Sequence, residues 1–346
     1  MRTADFDYPL PAARIAQRPL DRRDAARLLV DRGPGAPPEH RVVADLPDLL
    51  GPGDLLVVND TRVLPARLHL RKASGGAAEV LLLEREPAGG GWWEALVRPG
   101  RRLPAGTILV DPSGAEAVEV GDDLGDGRRR VRLLVADGTP TREAELALVG
   151  ELGEVPLPPY ITEPLVDDER YQTVYARRPA SAAAPTAGLH LTDDVLDRCR
   201  ARGVQVATVE LVVGLGTFRP IATEDVRDHR MHGEAYHVDP DVWAACGEAG
   251  RVVAVGTTVV RALESAAATG RLDGRTELFI ARGHRFAVVD VLLTNFHLPR
   301  SSLLVLVDAF VGPRWRRLYD VALAEGYRFL SFGDAMLLER DDEAAA

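Results

Sequence analysis

Between residues 64 and 150 the chain alternates short apolar runs with glycine and proline. Ala66–Arg71, Ala78–Glu84, Trp92–Arg98, Thr107–Val110, Ala115–Val120 and Arg128–Val135 read as strands, and strands at this spacing predict a small β-barrel or sandwich. On either side the pattern changes. A polar turn at Gly51–Asp54 leads into the apolar strand Leu55–Val58, and Thr192 caps a helix that runs to Arg202 and stops at Gly203. Val204–Val213 and Arg251–Gly256 read as buried strands, and Thr257 opens a helix that ends near Gly270. Phe286–Leu293 reads as a strand, Ser301 as the cap of an apolar helix, and Tyr327–Phe332 as a last strand. Alternating strands and helices predict a layered α/β sheet domain. The expected organisation is an α/β catalytic domain over residues 1–63 and 152–346, interrupted by a β-barrel domain over 64–151. The proline-rich stretch Val155–Tyr160 marks the return.

A chain of 346 residues, 46% of them hydrophobic, buries a core without metal or disulfide staples. The first residues carry acids where a signal peptide needs an apolar core. The longest apolar run, Leu303–Val311, is interrupted by Asp308 and is too short to span a membrane. A soluble protein of the cytoplasm is expected, with no membrane partner. Cys199 and Cys246, the only cysteines, lack metal spacing, and Cys199 reads as a buried apolar residue. The net charge of −10 argues against a general nucleic-acid binder. Basic clusters nevertheless occur at Arg98–Arg102, Arg128–Arg130, Arg177–Arg178 and Arg314–Arg317. Arginine forks pair with phosphate, so each cluster is either a local RNA-backbone contact or ordinary solvated charge.

Six polar segments, four of them with glycine, lie at predicted strand ends, where α/β proteins place their sites. In Asn59–Arg67, the residues Asn59, Thr61, Arg62 and Arg67 either hold a polar ligand or fix a domain junction. In Ala184–His190, a turn at Pro185 and Gly188 projects Thr186 and His190; a lone histidine is more often a hydrogen-bonded structural residue than a catalyst. Gly214–Pro220 carries Gly214, Gly216, Thr217 and Phe218. Pro220 opposes a dinucleotide-binding loop, and the glycines suit backbone approach to a flat ligand. Asp228–Glu234 gathers His229, His232 and Glu234. An acid/base or RNA-contacting role fits better than a metal, for which no ligand set is expected, and loop hydrogen bonding stays open. Gly256–Glu264 places Thr257 and Thr258 at a helix start that favours an anion, with Arg261 and Glu264 spaced to pair with each other. Thr294–Pro299 sets Asn295 and His297 around Phe296, which stacks on a base or fills the core.

Taken together, these segments closely resemble the S-adenosylmethionine:tRNA ribosyltransferase-isomerase family of queuosine biosynthesis. The resemblance runs through Asp5–Pro11, Leu55–Arg67, Leu157–Ile161, Tyr171–Tyr175, Ala184–His190, Gly216–Phe218, Asp228–His232, Gly256–Thr258 with Arg261 and Glu264, Thr294–Pro299 and Tyr327–Ala335, which includes Asp334. It covers nearly the whole chain in order. Three positions depart from the family pattern: Val212 replaces a histidine, Leu70 a glycine and Leu191 a phenylalanine. The resemblance implies that S-adenosylmethionine is consumed as a ribosyl donor rather than held as a cofactor. The acceptor is the 7-aminomethyl-7-deazaguanine base at the wobble position of tRNA, the anticodon region being the RNA partner. Ribosyl transfer with isomerisation gives epoxyqueuosine and releases adenine and methionine. A monomer is expected.

His190, His229, His232 and His297 are then the acid/base candidates, Thr257 and Thr258 candidates for the methionine carboxylate, Gly214, Gly216 and Phe218 for adenine, and Arg62, Arg67 and Arg261 for phosphate or carboxylate. Two rival readings stand beside this one: a paralogue acting on another nucleoside, suggested by Val212, and a non-catalytic RNA-binding protein of the same fold.

Overall fold

A computed structural model describes residues 1–86, 90–125, 127–135, 138–214 and 220–341. The chain divides into two compact units, one of residues 1–61, 159–178 and 184–346, the other of residues 62–158 and 179–183.

The first unit is built on a nine-stranded sheet in the order Asp273–Thr276, Glu234–Val238, Gln205–Leu211, Asp54–Asn59, Arg251–Val255, Val291–Asn295, Ala335–Glu339, Arg27–Asp31 and Glu39–Val42. Four central strands, Gln205–Leu211 to Val291–Asn295, run parallel. Asp54–Asn59 and Val291–Asn295 are buried along their whole length. A parallel strand covered on both faces needs such an unbroken apolar run. Leu56, Val58, Val253, Val255 and Leu293 form one core with Val195, Leu196 and Cys199 of the helix Asp193–Ala201. Thr192 Oγ1 caps that helix by accepting from Val195 N at 3.2 Å. Leu191, the family's phenylalanine position, lies fully buried in the same core, so leucine keeps its packing role.

The second unit contains a closed antiparallel barrel of Arg67–Lys72, Ala77–Arg85, Trp92–Arg98, Arg128–Leu133, Glu116–Gly125 and Ile108–Val110, shut by pairing of the last strand with the first. Closure removes exposed strand edges. Along Arg67–Lys72 buried and exposed positions alternate, and Leu70 is on the buried face. Residues 179–183 belong to this unit because the strand Arg178–Ser181 pairs with Thr61–Val63.

Three expectations need correction. The segment Arg142–Leu152 is a helix, not part of the β-pattern. Tyr327–Phe332 is not a strand; its aromatic side chains fill the core around Leu330 at φ +69°, and the last strand is Ala335–Glu339. Strand pairing after Phe286 begins only at Val291, because the N–H groups of Ala287, Val288 and Val289 are turned onto the Glu264 carboxylate.

Candidate functional site

Strand order reverses around Asp54–Asn59, and the parallel strands end along one edge of the sheet. Ligands of open α/β sheets bind outside such carboxyl ends. At this edge a small pocket, open to solvent, is lined by Thr186, Gly256, Thr257, Thr258, Thr294, Asn295 and His297, among others. A second small cavity beside it shares Thr186, Asn295, His297 and Leu303 and adds Tyr160 and Ser331. All of these residues belong to the first unit.

One wall is the start of the helix Thr257–Thr269. Gly256 precedes it at φ +92°, a conformation that favours glycine, and supplies no side-chain cap. The hydroxyl Oγ1 of Thr258 is buried without a hydrogen-bond partner. Free N–H groups and an uncommitted hydroxyl at a helix N-terminus attract an oxyanion.

Thr186 and Ala187, at the start of the turn Thr186–His190, form another wall, whereas His190 lines neither cavity. Thr186 Oγ1 donates to Asn295 Oδ1 at 2.9 Å, and Asn295 Nδ2 donates to His190 Nε2 at 3.0 Å and to the Leu330 carbonyl at 3.2 Å. Gly188 permits this turn: a Cβ there would lie 1.9 Å from Tyr175 Oη. His190 is buried, and burial, then the charges of Arg328 and Arg23, lower its pKa to about 4. His297 is buried too, which lowers its pKa to about 3; its Nε2 lies 3.0 Å from Thr294 Oγ1. Both rings are therefore neutral near pH 7. Phe296 fills the aromatic core against Tyr319, Tyr327 and Phe329.

Other expected site residues serve as braces. Asn59 is fully buried, and its amide bonds the backbone of Thr61 and Leu211. Thr61 Oγ1 donates to the Leu211 carbonyl at 3.4 Å. Arg261 and Glu264 do not turn to each other. Arg261 forms a buried ion pair with Glu234 and donates to the carbonyls of Leu278 and Thr276, while Glu264 accepts from three backbone N–H groups. Burial lowers the Arg261 pKa to about 10. Gly214 N donates to Glu234 Oε1 at 3.0 Å, which ties this brace to the strand end. Asp334 is buried, and its carboxylate accepts from the backbone of Arg27 and Arg328. None of these side chains lines either cavity.

His229 packs on Phe279 at 5.6 Å between ring centres, and His232 is exposed; neither lines the two cavities. Arg62 and Arg67 lie in the second unit. Gly216, Thr217 and Phe218 lie outside the described residues. Tyr160 and Ser331, joined Oη to Oγ at 2.7 Å, were not singled out; the signal available was a serine inside the apolar run Tyr327–Phe332. The basic cluster Arg128–Arg130 is engaged by Glu94, Asp123, Glu86 and Asp122, the solvated-charge alternative. Among the described residues no group of three His, Cys, Asp or Glu side chains could hold a metal ion, and no helix is long and apolar enough to cross a membrane.

A mixed α/β sheet with a parallel centre, and hydroxyl, amide and imidazole side chains around a cavity at the carboxyl ends of those strands, is the architecture of an enzyme-type small-ligand site. The chain belongs to the family described as queuosine biosynthesis protein, whose sequence profile matches residues 3–338. A relative from Moorella thermoacetica, named S-adenosylmethionine:tRNA ribosyltransferase-isomerase, is 50% identical over 98% of this chain and 100% of its own. One of the same name from Rubrobacter xylanophilus is 51% identical over 98% of each. The crystal structure of an S-adenosylmethionine tRNA ribosyltransferase from Thermotoga maritima superposes with a TM-score of 0.54 at 36% identity, over 96% of this chain and 99% of that one.

Proposed function

We propose that this chain is a transferase that moves the ribosyl group of S-adenosylmethionine onto 7-aminomethyl-7-deazaguanine at the wobble position of tRNA and isomerises it to epoxyqueuosine, releasing adenine and methionine. The family match along nearly the whole chain carries this reading. S-adenosylmethionine is a substrate here, not a resident cofactor, and the anticodon region is the part of the tRNA engaged.

The cavity at the carboxyl edge takes the donor. The first turn of Thr257–Thr269, with the unpartnered Thr258 hydroxyl, holds the methionine carboxylate. The sulfonium acidifies the adjoining carbon, and His297, in the cavity wall, is the side chain placed to accept the proton. His190 acts through Asn295, because its Nε2 is already occupied. Orientation and transition-state electrostatics supply the rest of the acceleration. Val212, in place of the family's histidine, donates its N–H to Ala235 O at 2.9 Å, a contact that any residue but proline makes.

The test is incubation with S-adenosylmethionine and tRNA carrying the aminomethyl base. Adenine release with the epoxyqueuosine mass in digested tRNA is the expected result. Release of S-adenosylhomocysteine would identify a methyltransferase, and tRNA binding without turnover a binding protein.

A further inference from the structure

The hydrogen bonds around Asn295 fix the polarity of the cavity wall. A peptide carbonyl only accepts, so the Leu330 carbonyl at 3.2 Å requires the NH₂ end of the Asn295 amide on its side. The second proton of that NH₂ meets His190 Nε2 at 3.0 Å, so this ring nitrogen is bare and the imidazole proton sits on Nδ1. The amide oxygen is left facing Thr186, 2.9 Å away, and an amide oxygen only accepts. Thr186 must spend its single proton there. What the Thr186 hydroxyl offers the cavity is therefore lone pairs and no proton. The helix start in the same cavity has the opposite character, with N–H groups and the unpartnered Thr258 hydroxyl. One wall accepts and one donates.

We infer that Thr186 receives the α-ammonium of the amino-acid end of S-adenosylmethionine while the start of the helix Thr257–Thr269 receives its carboxylate. Asn295 and His190 are positioning residues that hold the Thr186 hydroxyl in its accepting orientation. This rests on the reading of S-adenosylmethionine as donor, and it assigns the ammonium a partner of its own.

Binding of S-adenosylmethionine and of its analogue lacking the α-amino group, measured by calorimetry, tests it. The wild type is expected to prefer the natural ligand by about tenfold to a hundredfold, the range of a hydrogen bond to a charged group. Thr186→Val removes the lone pairs at constant shape and should abolish that preference, weakening S-adenosylmethionine alone; Thr186→Ser should retain it. Nitrogen-15 NMR of His190 should show the Nδ1-protonated tautomer, and Asn295→Asp, which places a carboxylate against Nε2, should raise the His190 pKa. An undiminished preference in Thr186→Val overturns the ammonium assignment and leaves the donor reading intact. Failure of the wild type to bind S-adenosylmethionine overturns both, and an Nε2-protonated His190 overturns the polarity argument.

Discussion

Around Thr186, Asn295 and His190 the polar side chains bond chiefly to one another, Thr186 and Asn295 border the cavity, and Thr258 nearby keeps a hydroxyl without a partner. Around Glu234, Arg261 and Glu264 the same kinds of group are consumed: the guanidinium by a carboxylate and two carbonyls, the carboxylate of Glu264 by three backbone N–H groups. Both sets occur in polar segments at strand ends. A polar strand end is thus either a brace or a binding wall, and the difference lies in whether its hydrogen-bonding capacity is exhausted within the protein. The two should respond oppositely to mutation.

The largest effect is expected in the brace. Glu234→Ala leaves the Arg261 guanidinium buried without its counter-ion, and should cost about 3–5 kcal/mol in urea unfolding. Thr186→Val takes the donor from the Asn295 amide oxygen and should cost about 1–2 kcal/mol, less than the brace, while lowering turnover. If the two variants lose stability equally, the distinction between brace and wall collapses. Next in size is His297→Ala, expected to slow adenine release by about 10²-fold, the usual worth of a positioned base. His232→Ala should release adenine at close to the wild-type rate, since that ring is exposed and lines neither cavity. Full activity in His297→Ala would remove it from the chemistry.

The buried neutral rings also set a pH dependence. The usual histidine pKa of 6.5 falls to about 4 at His190 and about 3 at His297, so the unfolded chain binds protons that the folded one excludes. Their contribution to stability is complete above pH 6.5 and is lost as pH falls towards those folded values, at up to about 1.4 kcal/mol per pH unit for each ring. Urea unfolding between pH 6.5 and 5 measures this above the main carboxylate range. His297→Gln should shallow the slope by one proton; an unchanged slope would mean that the ring is charged in the folded protein.

Which segments were legible in the sequence follows the same physics. Buried parallel strands such as Leu55–Val58 and capped helices such as Asp193–Ala201 declare themselves through apolar runs and a cap. Thr186, Thr257, Thr258, Asn295 and His297 were legible as site candidates because hydroxyl, amide and imidazole groups interrupt otherwise apolar strand ends. Their partners were not. Nothing local in the sequence says that Arg261 reaches back to Glu234 instead of along its helix to Glu264, since the choice depends on the strand Glu234–Val238 joining the sheet edge. Tyr327–Phe332 misled because an aromatic loop plugging a core carries the same hydrophobicity as a strand.

The helix Arg142–Leu152 was hidden for a different reason: its apolar face is thin, and only Glu145 and Val149 are buried along it. It is held from its ends and by charge. Thr141 Oγ1 caps it by accepting from Ala144 N at 3.2 Å, and the buried Glu145 carboxylate takes hydrogen bonds from Arg85 Nε at 2.7 Å and Trp93 Nε1 at 3.2 Å. Thr141→Ala should therefore cost about 1 kcal/mol, the worth of one cap, and should show first as faster amide exchange in the opening turn. The cavity at the carboxyl edge lies wholly in the other unit, so this variant should bind S-adenosylmethionine as the wild type does. Equal loss of protection along the entire helix would mean that the Glu145 anchor, not the cap, fixes where the helix begins.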